Sequence, residues 1–170
     1  MRPLYPVALS ALLASPAMAA DLSLKTEIPR LTVAEYHRPY VAVWLERPDQ
    51  SVVTNLAVWY DLKLKNNEGT KWLKDMRQWW RRTGRELAMP VDGITGATRA
   101  PGEHALTFPN AASQLAALPA GEYRIVVEAA REVGGRELVR LPFHWPPAGT
   151  QNVRAQGEHE LGAIQVDLKP

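Results

Sequence analysis

The apolar residues of this chain fall in short runs, alternating or continuous, and proline and glycine cut the runs apart. Leu22, Leu24, Thr26 and Ile28 alternate with polar neighbours, the pattern of a strand with one buried face, and Pro29 closes the run. Tyr40–Leu45 and Ser51–Asp61 are two further runs. Arg47-Pro48-Asp49-Gln50 between them favours a turn, so the pair reads as a hairpin. Tyr123–Ala130 and Leu138–Phe143 read as a second hairpin across Gly134-Gly135. His104–Phe108 and Leu161–Leu168 add strands, while Pro146–Gly157 reads as a loop. Such a series of about seven or eight short strands predicts a mainly β chain, an immunoglobulin-like antiparallel β-sandwich.

The period changes once. Trp72, Leu73, Met76, Trp79 and Trp80 recur at the spacing of one face of an α-helix. Lys71, Lys74, Arg77, Arg81 and Arg85 fall on the opposite side. The spacing predicts one inserted amphipathic helix over about 70–83, with Thr70 as its N-cap and Gly84 just past its end. Its tryptophan face is expected to pack on a sheet. Its basic face reads as a solvated surface or as a docking face for an acidic partner or an anionic membrane.

At roughly 100–200 residues per domain, 170 residues make one domain, and no linker divides the chain. The formal net charge of +2 is too small for a nucleic-acid-binding composition. No cysteine is present, which excludes thiol catalysis, disulfides, iron–sulfur clusters and cysteine-based zinc sites. The four histidines lack metal-ligand spacing, so no metal site is expected. Neither a nucleophile elbow nor a Walker loop occurs. Glu128, Glu132 and Glu137 have no partner for acid–base work in the sequence and read as strand-edge charges or as ion pairs with Arg131, Arg136 or Arg140. Residues 1–20 have a basic start, an apolar middle and Ala17-Met18-Ala19, the pattern of a signal peptide cleaved after Ala19 or Ala20. Its removal leaves residues 21–170, a charge of 19 − 18 = +1, and an expected place in the bacterial periplasm.

One loop carries chemistry. Asp92-Gly93-Ile94-Thr95-Gly96-Ala97-Thr98 places a carboxylate and two hydroxyls among residues small enough to let a bulky group reach the backbone. Successive N–H groups in such a run can cradle phosphate, and Arg99, Arg81 and Arg82 are near in sequence. Asp-Gly and Thr-Gly also read as two plain turns, and composition alone leaves both readings open.

The same seven residues resemble the flavinylation motif of proteins that carry covalent flavin mononucleotide, such as the FMN-bearing subunits of sodium-pumping quinone reductases. The resemblance implies FMN joined by a phosphoester to Thr98, with Asp92, Gly93, Thr95, Gly96 and Ala97 as the recognition sequence. It implies modification by a magnesium-dependent FAD:protein FMN transferase. Ala100 departs from the Ser or Thr often found two places after the attachment residue. Across residues 27–145, segments such as Tyr36–Trp44, Trp72–Arg82 and Glu128–Glu132 resemble a family of small exported bacterial proteins of formally unknown function, found alongside PepSY-type membrane reductases. The reading that follows is an exported electron carrier rather than a stand-alone enzyme. It passes electrons between a membrane reductase and an extracytoplasmic acceptor, with Tyr36, Tyr40, Trp44, Trp79 and Trp80 as candidate flavin-stacking residues. The alternative is a non-catalytic immunoglobulin-like binding or assembly module.

Overall fold

The computed structural model describes residues 20–109, 115 and 118–170. The signal-peptide segment 1–19 and most of the connection before Pro119 lie outside the described residues. Nine strands occur among the described residues: β1 (Asp21–Ile28), β2 (Tyr40–Glu46), β3 (Val52–Tyr60), β4 (Thr95–Ala97), β5 (Gly102–Phe108), β6 (Gly121–Ala130), β7 (Arg136–Trp145), β8 (Gln151–Gln156) and β9 (Ala163–Lys169). They form two sheets, ordered β5-β1-β9-β8 and β4-β3-β2-β6-β7. The chain is therefore mainly β and sandwich-like, as its apolar period predicts. Every pairing is antiparallel except that of β4 with β3, which is parallel.

Successive residues of a strand face opposite ways, and in β2, β3 and β6 each face meets a core of its own. Leu22, Leu24 and Ile28 of β1 join Val41, Val43, Leu45, Ile125 and Val127 between the sheets. The next residues along the same strands, Ala42, Trp44, Val58, Tyr60 and Val126, point to the other face of the five-stranded sheet. There they meet Leu73, Met76 and Trp79 from the connection between β3 and β4. The result is three layers: a four-stranded sheet, a five-stranded sheet and a helical cover.

β8 corrects the expected loop over Pro146–Gly157. Only Val153 and Ala155 of β8 pack on the core, and its neighbours are polar edge residues. An edge strand with so few apolar residues carries little signal in sequence.

The predicted helix over 70–83 is also corrected. A 3-10 segment spans Lys65–Asp75, and a short helix α1 follows at Arg77–Arg82. The buried residues Leu73, Met76 and Trp79 recur every third position, which suits a 3-10 turn better than a 3.6-residue one. Thr70 is not an N-cap; its hydroxyl donates to the Asn67 carbonyl (2.8 Å). Instead the cap of α1 comes from β6. Glu128 accepts the backbone N–H groups of Gln78 (3.0 Å) and Trp79 (2.7 Å), and Arg136 Nε bonds the same carboxylate (2.6 Å). Trp79 is further held by its indole N–H to Asn55 Oδ1 (2.8 Å). Gly84 does follow the helix end, and its role is space. A Cβ there would lie 2.5 Å from the Trp79 ring.

The charged residues of β6 and β7 are ion-paired or hydrogen-bonded to the backbone. Arg140 pairs with buried Glu46 (2.8 Å), and Arg131 forms a buried two-bond pair with Glu160 (2.9 and 3.0 Å). Glu137 accepts backbone N–H bonds from four successive residues, Glu158 to Leu161. Burial acts to raise the Glu137 carboxyl, but the four donors outweigh it and hold it below the ordinary value of 4.5. A folded-state value below the unfolded one adds stability above the unfolded value, and that stability is lost as pH falls through the folded value. Stability to urea is therefore expected to fall as pH drops below about 4.5, and Glu137→Gln to flatten that fall.

Candidate functional site

The Asp92–Thr98 loop is pinned to the edge of the five-stranded sheet. Thr95, Gly96 and Ala97 pair with Val58, Trp59 and Tyr60. Val58 donates to the Ile94 carbonyl (2.8 Å), and Thr98 donates its backbone N–H to the Tyr60 carbonyl (3.2 Å). Before the strand, Val91 and Thr95 close a tight turn. The Val91 N–H donates to Thr95 Oγ1 (2.8 Å), and the Thr95 N–H donates to the Val91 carbonyl (3.1 Å). Gly93 sits in that turn at a φ of 78°, the left-handed region that glycine tolerates.

Each small residue of the loop thus has a local task. Gly96 lies against Trp59, and a Cβ there would approach Trp59 Cδ1 to 2.9 Å. Trp59 has little freedom to move: it is 2% exposed, and Arg99 stacks over its ring at 5.2 Å. Gly96→Ala is therefore expected to cost about 1–3 kcal/mol of stability by overpacking. Urea unfolding of the variant beside the parent measures it.

The predicted grouping of Asp92, Thr95 and Thr98 around one space is corrected. The Thr95 hydroxyl is used inside the turn, and Asp92 is exposed at its tip. Of the motif, only Ala97 and Thr98 line a cleft of about 420 Å³. The Thr98 hydroxyl has no hydrogen-bond partner among the described residues.

This cleft draws on four parts of the chain. The segment before β2 supplies Tyr36, His37 and Arg38, and β2 begins with Tyr40. The connection after β3 supplies Asp61, Lys63, Leu64, Trp72 and Asp75; the end of β6 supplies Ala130 and Glu132. Tyr40 donates its phenol to the Gly69 carbonyl (3.1 Å) and so ties β2 to the 3-10 segment. Burial pushes the Tyr36 and Tyr40 phenols above their ordinary value, so both stay protonated. The Tyr36 hydroxyl is shielded from solvent and has no partner among the described residues. His37 lies between Glu35 (2.8 Å) and Glu132 (3.6 Å) at the rim.

Other sequence candidates separate here. Tyr36 and Tyr40 reach the cleft, whereas Trp44 and Trp79 are fully buried and Trp80 packs on the second core. Trp72, assigned to the packed helix face by its spacing, is 44% exposed and lines the cleft. The cations expected near the loop do not line the cleft. Arg99 covers Trp59, Arg81 bonds Gln78 (3.0 Å) and Arg82 bonds Gln50 (3.1 Å). Arg38 and Lys63 are the positive groups of the cleft, and sequence reasoning missed both. The one signal for Arg38 was the dense aromatic and charged tract just before β2, and Lys63, in the connection after β3, had none. Among the described residues no group of three or more His, Asp or Glu side chains could hold a metal ion.

The family model described as "Predicted periplasmic protein (DUF2271)" matches residues 21–163. The chain belongs to this DUF2271 family. Comparison with curated proteins finds no match, and comparison with solved structures finds none. The family description gives the same compartment as the sequence does, the periplasm. No helix among the described residues of this DUF2271 chain is long and apolar enough to cross a membrane. The matched span includes both walls of the cleft and the whole Asp92–Thr98 loop.

Proposed function

We propose that this DUF2271 protein is a periplasmic electron carrier with FMN attached through a phosphoester to Thr98. The observation that carries the reading is the setting of Thr98. Its hydroxyl is unengaged among the described residues, its backbone is fixed to β3, and it opens on an aromatic-lined cleft. The cleft's volume of about 420 Å³ falls within the range of about 300–1,000 Å³ found for small-molecule and cofactor sites. Ala97, the other motif residue on the cleft, adds little bulk beside Thr98.

Attachment needs a free hydroxyl and an FAD:protein FMN transferase. Thr98 Oγ1 forms a bond to the FMN-side phosphorus of FAD, the pyrophosphate bond breaks, AMP leaves, and the hydroxyl proton passes to the transferase. When bound, FMN supplies reversible electron transfer, and the protein supplies placement and electrostatics. β3 and β4 hold the anchor still, and Arg38 and Lys63 balance part of the charge of Asp61, Asp75 and Glu132 in the cleft lining. A covalent tether suits an extracytoplasmic carrier, which would otherwise lose its cofactor by dilution. In this reading a PepSY-type membrane reductase is the donor and a further periplasmic redox protein the acceptor.

Denaturing gel electrophoresis tests the reading. Protein made together with an FAD:protein FMN transferase is expected to give a band with flavin fluorescence, because covalent flavin survives denaturation. A dark band from protein and transferase both shown to be present would contradict it.

A further inference from the structure

Trp72 is out of place for a tryptophan on a buried-helix pattern. Leu73, Met76 and Trp79 of the same segment are at most 1% exposed, but Trp72 is 44% exposed and belongs to neither core. Leu64, 39% exposed, lines the same cleft. Two large apolar side chains are thus left facing a concave site instead of being packed. Tyr36, Tyr40 and Ala130 line that site as well, and so does the Thr98 anchor.

We infer that the cleft seats the flat isoalloxazine ring of the flavin, with Trp72 as its stacking face. The inference rests on the proposed attachment at Thr98 and adds where the ring goes. Aromatic rings favour offset stacking on one another, and the contact covers apolar area that Trp72 and Leu64 otherwise leave in water. The cleft's lining is mixed, as the ring is: apolar Trp72, Leu64 and Ala130 stand beside the cations Arg38 and Lys63 and the carboxylates Asp61, Asp75 and Glu132. Trp72 stands clear of both cores, so its replacement leaves the packed layers intact.

Flavin emission of the intact, flavin-bearing protein reads the stacking directly, because indole quenches flavin fluorescence on contact. The parent is expected to be dim when folded and to brighten several-fold on unfolding in guanidinium. Trp72→Ala is expected to carry the same flavin mass and to be several-fold brighter than the parent while folded. Trp72→Phe is expected to fall between them. Equal emission of folded and unfolded parent, or a folded Trp72→Ala as dim as the parent, would overturn the inference. Should Trp72→Ala not fold, iodide quenching of the parent decides instead: a flavin shielded when folded supports the seat, and one equally accessible in both states overturns it. Failure of the attachment reading looks different, since the intact mass then shows no flavin in any variant.

Discussion

Thr98→Ala protein produced with an FAD:protein FMN transferase is expected to be folded and free of flavin. The effect is all or none, because the substitution removes the oxygen that would carry the phosphoester and leaves no other serine or threonine on the cleft wall. The motif's other hydroxyl, on Thr95, already accepts the Val91 N–H inside the turn. The fold should be indifferent to the change. The Thr98 side chain makes no hydrogen bond among the described residues, and its backbone bond to Tyr60 survives in alanine. Surface-type substitutions of this kind usually stay within about 0.5 kcal/mol of the parent. A matching urea midpoint together with complete loss of visible absorbance is the expected pair of results. Loss of both flavin and stability would mean instead that Thr98 serves the sheet edge.

Glu128→Ala is expected to cost about 3 kcal/mol of stability. Glu128 is fully buried and serves three donors at once: Gln78 N–H, Trp79 N–H and Arg136 Nε. Its removal leaves two helix-end N–H groups and a cation without their acceptor. The value lies at the lower end of the range for breaking a buried pair, because the Arg136 side chain is 35% exposed and can regain water. Out of a typical net stability of about 5–15 kcal/mol, such a loss is large. It should be felt first in the helical cover, whose docking depends on this cap. Trp79 is the natural reporter, since Glu128 binds its backbone and Asn55 its indole. Urea unfolding followed by tryptophan fluorescence measures the effect. A cost below about 1 kcal/mol would show that apolar packing alone docks the cover.

Glu128 also marks the limit of what could be read from the chain. Local patterns were legible. The two-residue period placed β1, short apolar runs placed β2, β3, β6 and β7, and the Pro-Asp and Gly-Gly signals placed both hairpins. What failed depended on partners distant in sequence. The cap of α1 lies 49 and 50 residues away on β6, so Thr70 stood in for it. Trp72 and Trp79 look alike in sequence. Only the three-residue spacing of the buried set, imposed by the five-stranded sheet, turns one into the core and the other toward solvent. β8 was invisible because an edge strand with one solvent face needs few apolar residues.

The candidate site was legible in its anchor and hidden in its surroundings. Thr98 and the loop's small residues stand together in sequence, so their chemistry could be read there. The cleft beside Thr98 is assembled from segments before β2, after β3 and at the end of β6, which only the sheet order brings together. Of the cations near the loop in sequence, Arg81 bonds Gln78, Arg82 bonds Gln50 and Arg99 stays beside the loop over Trp59, while Arg38 and Lys63 line the cleft.

The attachment of flavin at one residue is the central claim, and fragment mass spectrometry of the full chain made with the transferase tests it most directly. The expected result is a single FMN-sized increment on the intact protein, located by fragmentation on Thr98. An unmodified protein, or an increment located on Thr95 or any other residue, would contradict it.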